Sequence, residues 1–344
     1  MNVERERRIF KIFPNWCILL LNTGPGSQVL NLEQATTVEG ITFADSGNLF
    51  LRSAEVLTLT GTATLPLGGA FLTLGNAVLL SANLTAHGEI RILAESIELI
   101  GSASLRSLQD SVLLRSDTSL TMGLNTSILS ENRNVQLVAA GDILAARVTA
   151  ERLLDLRSGG DLLAVSTSRA THELTANSLR LRVDGTITPI LTRTRRLDLQ
   201  AGAVQEIFEY DDLTAGYFGF ALTDPAPGQT FTLRMNSATL DAINPSVRLD
   251  GDVVFVLLSN GTVQLGSRLE TPQGDILLQV NGVTVAGVSG AALAAPLGTL
   301  RVESATGGGT LAVPLLADAA TFSALAQGGN LAFRFVNGTV VNAD

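Results

Sequence analysis

Residues 135–165 read VQLVAAGDILAARVTAERLLDLRSGGDLLAV. Gly141-Asp142-Ile143 returns 19 residues later as Gly160-Asp161-Leu162. Outward from this stretch the same unit recurs: a glycine, a polar or small residue, then alternating apolar residues. Gly47-Asn48-Leu49 and Gly88-Glu89-Ile90 precede it, and Gly251-Asp252-Val253, Gly274-Asp275-Ile276 and Gly329-Asn330-Leu331 follow. Gly251 and Gly274 are 23 residues apart. A degenerate repeat of about 20 residues is the sequence signature of a β-solenoid.

Inside each unit the hydrophobic period is two. In Glu89-Ile90-Arg91-Ile92 the isoleucines point one way and the charges the other. Ile97-Glu98-Leu99, Leu179-Arg180-Leu181-Arg182-Val183 and Ile276-Leu277-Leu278-Gln279-Val280 obey the same rule. Alternation over a few residues marks a half-buried strand. Strands this short, joined by corners of two to four residues, leave no room for crossover helices, which excludes a βαβ fold. The expected fold is all-β, a right-handed parallel β-helix (β-solenoid) with coils of about 20 residues. A hairpin-based C-terminal region is the alternative, because Asn260-Gly261, Asn281-Gly282 and Asn337-Gly338 each sit between apolar runs. Asn-Gly also suits a solenoid corner, since both residues tolerate positive φ.

Composition agrees with thin, regular coils. Mean hydropathy is +0.32 and aromatics make up only 5%, so the core is built from small aliphatics. The net charge of −9 and pI near 4.8 argue against non-specific nucleic-acid binding. Cys17 stands alone, which excludes an intrachain disulfide and a thiolate zinc site. No stretch is apolar enough over enough length to span a bilayer as a helix. Residues 1–26 read as an irregular leader without a clear signal peptide. Solenoid coils follow over 27–222. A Pro/Gly-rich loop or junction occupies 223–230 around Asp224-Pro225-Ala226-Pro227-Gly228. Further coils over 231–344 end on the core-like Leu331-Ala332-Phe333-Arg334-Phe335 with no polar cap, as expected of coils that adjoin others in a longer parent chain.

The coils from Val135 to Gly185, with Leu197-Asp198-Leu199, Glu209-Tyr210-Asp211-Asp212-Leu213-Thr214 and the stretch from Gly251 to Gly287, resemble filamentous haemagglutinin-like and other large repetitive bacterial adhesins. The resemblance covers about residues 40–344 and implies secretion or display at the bacterial cell surface, with an adhesive or structural role. Glycans or surface proteins of the host or environment would be the partners. It brings no catalytic residues, and the chain reads as a non-enzyme without cofactor or metal.

Two clusters stand out as a candidate ligand surface. The first packs Glu206, Glu209, Asp211 and Asp212 among Phe208, Tyr210, Tyr217, Phe218 and Phe220. Carboxylates beside aromatic rings suit sugar binding or acid/base hydrolysis, so a carbohydrate-active or glycan-binding β-helix is the alternative function. The second comprises Arg180, Arg182, Arg193, Arg195 and Arg196. Alternation puts Arg180 with Arg182, and Arg193 with Arg195, on outer faces. They would form either a guanidinium ladder for acidic glycans or ordinary ion pairs with Asp184 or Asp198. His87 and His172 lack ligand spacing and read as corner or surface residues. The calcium-binding Gly-Gly-x-Gly-x-Asp nonapeptide and a phosphate-binding loop are both missing.

Overall fold

The structure, a computed structural model, describes residues 9–10, 21–23, 27–32, 36–43, 47–168, 172–210, 218–222, 227–235, 246–249, 252–265, 268–285, 292–304, 315–326, 333–335 and 340–342. The described residues form strands, turns and bends with no helix, and their strand pairings are parallel. Parallel coils of about 21 residues stack into a β-solenoid. The chain divides into two compact units, Met1–Ala176 and Asn177–Asp344.

From Ala70 to Ala150 each coil has three short strands, for example Ile90–Ala94, Ile97–Leu99 and Ser104–Ser107, whereas in the preceding coil the single strand Leu57–Leu65 covers two faces. Each strand pairs with its counterparts one coil away. On the first face Val29 lies opposite Phe50, Phe50 opposite Phe71 and Phe71 opposite Arg91, and the column continues through Leu113, Gln136 and Asp155. Those partners are 19 to 23 residues apart. Because the step holds the phase of the alternation, inward residues meet inward residues. Leu51, Leu72, Ile92, Leu114, Leu137 and Leu156 form one buried column. The other two faces add columns such as Val78–Ile97–Leu120–Ile143 and Leu84–Leu105–Ile128–Val148. Full burial of each such aliphatic side chain is worth about 1.5–3 kcal/mol.

The corners explain the glycine and the polar residue of the repeat. A Cβ on the repeat glycine Gly274 would lie 2.0 Å from the Val253 carbonyl oxygen of the neighbouring coil, and one on Gly159, just before the repeat glycine Gly160, would lie 2.1 Å from that of Ala140. Glycine is therefore required by the close approach of backbones, not by an unusual φ. The adjacent polar side chain caps the next coil: Asn48 Oδ1 accepts from Gly69 N at 2.8 Å, and Asp142 Oδ1 accepts from Asp161 N at 2.8 Å. Buried serines add further links between coils. The Ser116 hydroxyl donates to the Glu95 carbonyl at 2.8 Å, and that of Ser158 donates to Gly141 at 2.7 Å. These bonds satisfy corner backbone groups that the ladders leave over.

The second unit keeps the parallel stacking but uses longer strands: Val253–Leu265, Asp275–Val285, Ala292–Ser304 and Leu315–Ala326. Its inward column runs Phe231–Phe255–Ile276–Leu300–Phe322. Asn260-Gly261 lies inside Val253–Leu265, where the register against Asp275–Val285 shifts between Ser259 and Thr262. Asn281-Gly282 likewise lies inside a strand that pairs in parallel on both sides. Neither dipeptide turns a hairpin, and Asn337-Gly338 lies outside the described residues. Most of the leader 1–26 and Asp224-Pro225-Ala226 also lie outside them.

One sequence expectation is corrected. His172 is not a surface residue: it is fully buried in the first unit, ahead of the strand Glu173–Ile187. Its Nδ1 lies 2.9 Å from the Ala145 carbonyl, and its Nε2 is buried without a hydrogen-bond partner. Desolvation is the main cause that lowers its pKa, against smaller raising effects of the Ala145 and Ala146 backbone. The ring is therefore held neutral.

Candidate functional site

The strand Glu206–Glu209 carries the acidic cluster, and its alternation separates the two described carboxylates. Ile207 and Glu209 point into the core, whereas Glu206, Phe208 and Tyr210 are half-buried on the outer side. One neighbouring strand places Ile190 opposite Ile207 and Thr192 opposite Glu209. The other places Thr232 opposite Glu206 and Arg234 opposite Phe208.

On the outer side these pairings assemble a small mixed patch. Arg234 Nε donates to Glu206 Oε1 at 3.0 Å, and its guanidinium carbon lies 5.9 Å from the Phe208 ring centroid. The Phe208 and Tyr210 rings are 4.5 Å apart and tilted by 37°. Two rings beside a guanidinium–carboxylate pair offer apolar surface and directional hydrogen bonds together, which suits the two chemical faces of a sugar.

Glu209 does something different. It is fully buried, with Oε2 accepting from the Thr192 hydroxyl at 2.7 Å and Oε1 accepting from Thr194 N at 3.0 Å. Thr194 in turn donates its hydroxyl to the Arg196 carbonyl at 2.9 Å. Glu209 thus occupies an inward slot of the coil as the acceptor of a buried polar network. Two glycosidic carboxylates must face one substrate, and Glu206 and Glu209 lie on opposite sides of their strand. Asp211, Asp212 and Tyr217, and the side chains of Phe218 and Phe220, lie outside the described residues.

Two members of the arginine cluster, Arg180 and Arg182, share one carboxylate, that of Asp198. Arg180 Nε and Arg182 Nη2 both donate to Asp198 Oδ2, at 3.3 and 2.6 Å. Arg182 also donates to the Asp198 carbonyl at 3.3 Å. Arg193 and Arg195 project outward on either side of the buried Thr194. Arg180, Arg182 and Asp198 are all partly exposed, and solvent-accessible pairs of this kind contribute little to stability.

Sequence reasoning missed Arg234, Thr192 and Thr194. Arg234 is 28 residues from Glu206, and the Pro/Gly-rich segment between them hid the period. The threonines left a signal: Ile190, Thr192 and Thr194 hold one phase, so both hydroxyls fall on the inward side. Among the described residues no group of three His, Cys, Asp or Glu side chains is placed to hold a metal ion, and no helix is long and apolar enough to cross a membrane.

Set against family models, curated proteins and solved structures, the chain matches none. The class that its own geometry defines is a parallel β-solenoid.

Proposed function

We propose that the chain is a structural and adhesive β-solenoid segment of a large secreted or cell-surface bacterial protein. In this reading it presents extended, ordered outer rows for attachment to glycans or surface proteins of a host or environment, and it is not an enzyme. The observation that carries the reading is the unshifted register of the first-face strands from Ile90 to Ser158. It repeats outward side chains at the strand spacing of about 4.8 Å, an arrangement that meets a polymeric or repetitive partner at many points. Stacked aliphatics and inter-coil serine and Asx bonds give these rows a rigid support.

A second reading, a glycan-binding or carbohydrate-active β-helix, is favoured by the patch of Glu206, Phe208, Tyr210 and Arg234. An array of glycans and matrix proteins probed with the purified chain tests both. Saturable binding to array members with no release of reducing or unsaturated sugar ends supports the adhesive reading. Release of such ends supports the enzymatic one, and absence of all binding overturns attachment.

A further inference from the structure

A strand covered on one side only carries polar residues on the other, and the first face of the first unit obeys this rule. From Leu49 to Ser158 its strands place Arg52, Thr73, Arg91, Arg115, Gln136 and Arg157 outward. In the second unit Val253–Leu265 breaks it. The first six residues of that strand, Val253 to Leu258, are all apolar. Val253, Phe255 and Leu257 are buried in the core, so Val254, Val256 and Leu258 stand half-buried on the outer side. Leu277, opposite Val256 on the next coil, extends the patch. A continuous apolar run is the pattern of a parallel strand covered on both faces.

The groups around this patch are self-complementary. One outward row runs Glu206, Thr232, Val256, Leu277, Arg301. The adjoining row runs Leu191, Phe208, Arg234, Leu258, Gln279, Glu303, Leu325. Val256 is the midpoint of the first row, with Glu206 and Arg301 two coils away on either side, about 10 Å each. That row is acidic at one end and basic at the other. The second row has the opposite order, with Arg234 on the Glu206 side of its midpoint Leu258 and Glu303 on the other. Within the chain Arg234 pairs with Glu206 at 3.0 Å and Arg301 with Glu303 at 2.6 Å, so each end is neutral as a whole.

We propose that this face is a self-association surface: a second copy of the chain packs on it face to face, with coils antiparallel, about a two-fold axis along the strand at Val254, Val256 and Leu258. That operation keeps each row and exchanges its ends. The three central residues meet their own counterparts, and Leu191 meets Leu325, which is 46% exposed in the single chain. Glu206 faces Arg301 of the second copy, Arg234 faces Gln279 and Thr230 faces Asp275. Phe208 faces Glu303, with Arg234 one coil away to take that carboxylate. Among these residues no like charges are opposed, and an isologous contact of this kind closes after two copies. An added β-strand does not fit, because Val253–Leu265 is paired on both sides. A sugar chain fits the centre poorly, since aliphatic side chains line it and no aromatic ring does. The face is about 29 Å along the coils and about 20 Å along the strands. That is at the small end of specific interfaces, so the expected affinity is micromolar. The inference is independent of the attachment reading. The dimer covers Glu206 and Phe208, and so competes with any glycan held there.

The test is sedimentation equilibrium of the full chain at concentrations from about 1 to about 200 μM. The expected result is a reversible monomer–dimer equilibrium. V256D is expected to weaken it at least tenfold, because it sets a buried charge against its own counterpart. E206R alone and R301E alone are each expected to weaken it by opposing like charges. Mixed in equal amounts, E206R and R301E are expected to recover the dimer, since both contacts between the two variants then have opposite signs. Melting curves within a few degrees of the parent establish that the variants are folded. A chain that stays monomeric over the whole range, dimerisation unchanged in V256D, or no gain on mixing the two charge variants overturns the proposal.

Discussion

At the residue scale, two positions carry constraints that composition alone does not reveal. Gly159 has the Ala140 carbonyl where its Cβ would stand. Gly159→Ala must push adjacent coils apart, so urea denaturation should show a loss of about 1–3 kcal/mol. Thr73→Ala, on an exposed outer position, should stay within about 0.5 kcal/mol. His172 is the second. Burial lowers its pKa in the folded chain, so below roughly pH 6.5 the unfolded chain takes up a proton that the folded chain refuses. The stability present above that pH is lost as pH falls from about 6.5 toward the lowered folded value. Thermal melts should therefore show a lower Tm at pH 5.5 than at pH 7.5, and His172→Gln should shrink that difference. An unchanged difference in the variant would assign the effect to other groups. The burial of His172 was illegible in the sequence, because Thr-His-Glu has the composition of a corner and only the coil packed around it encloses the ring.

At the element scale, the alternating strands were legible wherever the inward residues are aliphatic. Ile90 and Ile92, Leu179 and Leu181, and Ile276 and Leu278 all point inward as their period requires. Asn260-Gly261 misled in one respect: the dipeptide that turns hairpins here sits at a register shift inside a continuous strand. Local turn chemistry permits both outcomes, and only the parallel neighbour selects between them. Glu209 was misplaced for a related reason. Read as a member of an acidic surface cluster, it takes the inward phase set by Ile207, and Thr192 and Thr194 on the adjoining strand make that tenable. The stacked columns also set the cost of a deletion. Leu114 is buried between Ile92 and Leu137, so Leu114→Ala should cost about 2–5 kcal/mol in chemical denaturation. Leu113→Ala, its outward neighbour, should cost much less.

At the scale of the whole molecule, the glycine-led repeat was enough to reach the fold class, because stacking forces each coil to repeat the phase of the last. The division at Ala176 and Asn177 was not legible: no proline or glycine marks residues 172–180. The candidate site was half legible. The sequence displayed the carboxylates, rings and arginines and named Asp198 among the partners of the arginines, as found, but the assignment of Arg234 to Glu206 depends on which coils adjoin. The central claim is the parallel coil register, and spin-label distances test it most directly. In a Cys17→Ser background, labels on Thr73→Cys with Arg115→Cys, and on Thr73→Cys with Arg157→Cys, sit two and four coils apart in one outward column. The account predicts backbone separations of about 10 and about 19 Å, the second twice the first. Separations that do not grow in that proportion, or a second distance well beyond about 30 Å where coil stacking requires about 19 Å, would contradict it.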